Sequence, residues 1–64
     1  MQADPEAQAS RYRREAEHLR RAVEMIADER LREQLLKFAR QYEAAAESIE
    51  QELRLRATGT PARP

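Results

Sequence analysis

Apolar side chains recur along this chain in alternating steps of three and four. Ala9, Tyr12, Ala16, Leu19, Val23 and Ile26 form one such series, and Leu31, Leu35, Phe38, Tyr42, Ala45 and Ile49 form a second. Each series falls on one side of an α-helix. Between Ile26 and Leu31 the step is five, so the second stripe is out of line with the first. Asp28 supplies a reason for the break. Its short carboxylate can accept from the free amides of a new helix, and Glu29 suits the positive end of the helix dipole. The pattern therefore predicts an all-α, antiparallel two-helix hairpin: a helix over 5–27, a tight turn near 28 and a helix over 29–54. The competing arrangement is one long rod with a drifting stripe. Ala27 bridges Val23 and Leu31 at steps of four, and no Gly or Pro stands at the turn.

The ends read differently from the middle. Residues 1–4 form an N-terminal end, in which Asp4 caps the first helix, Pro5 takes its first position and Glu6 favours its dipole. After Ile49 the stripe decays. Gly59, Pro61 and Pro64 oppose further helix, and 55–64 is expected to be a flexible tail.

Folding the two stripes together sets Leu19 near Phe38, Val23 near Leu35, Tyr12 near Ala45 and small Ala16 opposite large Tyr42. Glu43 and Glu47 come level with Arg11 and Arg14. Tyr12, Leu19, Val23, Ile26, Leu31, Leu35, Leu36, Phe38, Tyr42 and Ile49 are the expected core and dimer residues. One hairpin buries only one side of each stripe. Leu36, Ala39 and Ala46 widen the apolar face of the second helix, and Met25 lies off the stripe near the turn. A widened face belongs to a bundle interior, so the expected state is a homodimer closing a four-helix bundle.

Composition narrows the function classes. Lysine plus arginine balances aspartate plus glutamate at 12 each, which does not suit a general polyanion binder. There is no cysteine, hence no disulfide framework and no thiolate metal site. Uncharged apolar runs are too short to span a bilayer, so no membrane is expected as partner and the cytoplasm is the default compartment. Arginine in place of lysine, together with abundant alanine, hints at a GC-rich bacterial genome.

No residue set assembles into catalytic machinery, and no catalytic, cofactor or metal site is assigned. Glu15 and His18 stand at the i, i+3 spacing that carboxylate-bridged di-iron bundles use, with Glu43 or Glu47 as further ligands. The plainer reading is a solvated face, because the chain has a single histidine. Arg11, Arg14, His18 and Arg21 share one face of helix 1 and could meet nucleic-acid phosphates. No aromatic stands on that face for base stacking. The preferred reading is a small non-enzymatic helical module acting through self-association or docking to a protein partner. An RNA- or DNA-binding hairpin dimer using the Arg stripe is the alternative.

The stretch Asp28-Glu29-Arg30-Leu31-Arg32-Glu33-Gln34-Leu35-Leu36, followed by Tyr42-Glu43, resembles short helical-hairpin proteins of alphaproteobacteria. These share an acidic turn, Leu-Arg-x-x-Leu-Leu, a small residue and an aromatic-Glu pair. Their turn often reads Asp-Pro-Glu, whereas here Arg30 separates the acids from Leu31. That resemblance implies the hairpin and no activity. In length and layout alone the chain is also similar to the repressor-of-primer family of plasmid proteins. The likeness implies a dimeric four-helix bundle with RNA on paired first helices.

Overall fold

The computed structural model describes residues 4–58. They form two helices and no strand, α1 (Pro5–Glu24) and α2 (Glu29–Thr58), packed against each other as a hairpin. The rod is thereby excluded.

Both helix starts are built as their sequences require. Asp4 has extended backbone, and its carboxylate accepts from the Glu6 amide at 3.1 Å while Pro5 opens the helix. Asp28 repeats the device: its carboxylate accepts from the Arg30 amide at 3.0 Å and from the Leu31 amide at 3.5 Å, and its carbonyl from the Arg32 amide at 2.9 Å.

Helix α1 ends three residues before the expected Ala27. The Met25 amide donates to the Ala22 carbonyl at 3.0 Å and the Ile26 amide to the Val23 carbonyl at 3.2 Å. These tightened last turns satisfy carbonyls that a helix end would otherwise leave open. Met25 leaves the helix at φ −97°, ψ 0°, which any residue can adopt, so the turn needs no glycine. At the other end α2 runs to Thr58, four residues past the expected Arg54. Residues 55–58 of the expected tail are thus helical. Residues 59–64, with Gly59 and its prolines, lie outside the described ones.

The seam between the helices is made of small residues. Ala9, Ala16 and Val23 of α1 are buried at 2, 1 and 5 % exposure, and Ala39 and Ala46 of α2 at 0 %. Each row repeats every seven residues, as two helices crossing at a shallow angle require. Alanine at the seam lets the backbones approach closely, but no large side chain is fully buried there.

Within the single hairpin, only Val23 of the ten residues expected in the core and dimer is buried. Tyr12, Leu19, Ile26, Leu35, Leu36 and Ile49 are half-buried, and Leu31, Phe38 and Tyr42 are exposed. On α1 the apolar stripe and the seam coincide. On α2 the row through Leu31, Phe38 and Ala45 has turned away from the partner helix, and Ala39 and Ala46 have taken its place. Small side chains on both helices permit the closest backbone approach. That gain outweighs placing the largest residues at the centre.

Candidate interaction face

Each seam row has two neighbours, one three residues further along its helix and one four residues further. On α1 the three-step row is Tyr12, Leu19 and Ile26, and the four-step row is Arg13 and Arg20. On α2 the three-step row is Leu35, Tyr42 and Ile49, and the four-step row is Leu36, Glu43 and Glu50. The hairpin brings like rows together, and its two flanks differ completely in chemistry.

The four-step flank is closed by ion pairs. Arg13 donates twice to Glu50, at 2.8 and 2.7 Å, and Arg20 donates twice to Glu43, at 2.8 Å each. The seven-residue spacing of both arginines and both glutamates sets these forks one above the other. Arg13 and Arg20 replace Arg11 and Arg14 as the residues that meet the acidic part of α2. A third pair, Arg21 with Glu17 at 3.7 Å, is local to α1. The guanidinium hydrogen bonds of Arg20 and Arg13 hold Glu43 and Glu50 below the usual carboxylate range, and each arginine is raised in turn by its carboxylate. A depressed folded-state pKa contributes stability above the unfolded value and loses it as pH falls through the folded one. Thermal melts should therefore show the hairpin weakening as pH drops through and below the ordinary carboxylate range. Glu43→Gln with Glu50→Gln should flatten that slope. The effect is expected to be modest, because the pairs remain partly solvated.

The three-step flank is apolar. The Tyr12 and Tyr42 rings meet across it with centroids 5.7 Å apart and planes tilted by 46°, within the favourable aromatic range. The Gln8 side-chain amide donates to the Tyr12 hydroxyl at 3.3 Å. An open groove of about 530 Å³ runs between the helices, lined by Tyr12, Leu19, Phe38, Tyr42 and Ala45. Glu15 borders it on the α1 side and Gln41 on the α2 side. This groove gathers the expected neighbours Leu19 with Phe38 and Tyr12 with Ala45. Leu31, Phe38 and Tyr42 are 43, 45 and 36 % exposed.

The remaining candidate residues lie elsewhere. Leu36 stands seven residues before Glu43, on the ion-paired flank, and does not widen the apolar face. Met25 is 83 % exposed at the turn. Arg11, Arg14, His18 and Arg21 are exposed on the outer side of α1. A second depression along α2, lined by Arg30, Glu33, Gln34, Leu36, Lys37 and Arg40, borders one helix only. Among the described residues no three His, Cys, Asp or Glu side chains gather as a metal site. No described helix is long and apolar enough to cross a membrane.

Compared with known protein families, curated proteins and solved structures, the chain matches none of them.

Proposed function

We propose that this chain is a small, non-enzymatic, cytoplasmic interaction module. Its working surface is the apolar flank of the hairpin, which docks on another helical surface. The first occupant is a second copy, closing a four-helix bundle. The observation that supports this reading is the division of labour between small and large apolar residues. Alanines hold the two helices together, while Leu31, Phe38 and Tyr42 remain exposed on one flank. A lone hairpin gains little from its largest side chains in that arrangement. Each buried side chain of that size contributes about 1.5–3 kcal/mol relative to leaving it exposed.

Self-association makes stability depend on protein concentration by mass action. The Tm of the wild-type chain should therefore rise over a hundredfold increase in concentration. A Tm that stays constant over that range contradicts self-association, and leaves docking to a different protein as the use of the flank.

A further inference from the structure

We draw no further inference here: the strongest candidate, the apolar groove between α1 and α2 lined by Tyr12, Leu19, Phe38, Tyr42 and Ala45, is an open helix face, and nothing in the structure shows what covers it.

Discussion

Ala39→Asp is expected to abolish the folded hairpin. Ala39 is 0 % exposed in the seam between the helices. A carboxylate there has neither room nor a hydrogen-bond donor, and desolvating it costs several kcal/mol. At the usual ~0.05–0.15 kcal/mol per residue, a chain of this length has on the order of 3–10 kcal/mol of total stability. The cost is therefore comparable with all that holds the fold. Ala44→Asp is the matched control, since Ala44 is exposed on the same helix. Circular dichroism should show a cooperative melt for Ala44→Asp and lost or sharply reduced helicity for Ala39→Asp. Similar melts for the two variants would mean that the seam lies elsewhere.

The neighbouring residue is expected to behave in the opposite way. Phe38 is 45 % exposed on the apolar flank. In the isolated hairpin Phe38→Glu changes a half-solvated position, where substitutions usually stay within about 0.5 kcal/mol. In the dimer the same change pushes a carboxylate into the join. Loss of a central aromatic at an interface commonly costs about 2 kcal/mol or more, roughly a thirtyfold weaker dimer. Sedimentation should show Phe38→Glu as a helical monomer where the wild type is dimeric. Leu36→Glu, on the ion-paired flank, should leave the mass unchanged. If Leu36→Glu dissociates the dimer and Phe38→Glu does not, the flank carrying Glu43 and Glu50 is the interface.

The contrast between Phe38 and Ala39 also shows what could be read from the sequence. Turn and caps were legible, because Asp4 and Asp28 act through local hydrogen bonds that a few neighbouring residues decide. The α1 seam was legible because its small row, Ala9 and Ala16, leads into Val23 within the apolar stripe. The α2 seam was not. A periodic reading gives weight to large side chains, and these drew the stripe through Leu31 and Phe38, away from Ala39 and Ala46. Close packing of two helices instead rewards small residues facing each other. The seven-residue repeat of Ala39 and Ala46, matching that of Ala9 and Ala16, was the signal that could have found it. Arg13 and Arg20 were missed for a related reason. Their partners, Glu50 and Glu43, are 37 and 23 residues away, and only the seam's position shows which arginines face them.

The mass of the wild-type chain in solution, followed by sedimentation from micromolar to hundreds of micromolar, tests the central claim most directly. Burial of the apolar flank by a second copy predicts a species of about 15 kDa, twice the 7.5 kDa of the chain, that gives way to monomer on dilution. A folded hairpin that remains at 7.5 kDa at the highest concentration would contradict it.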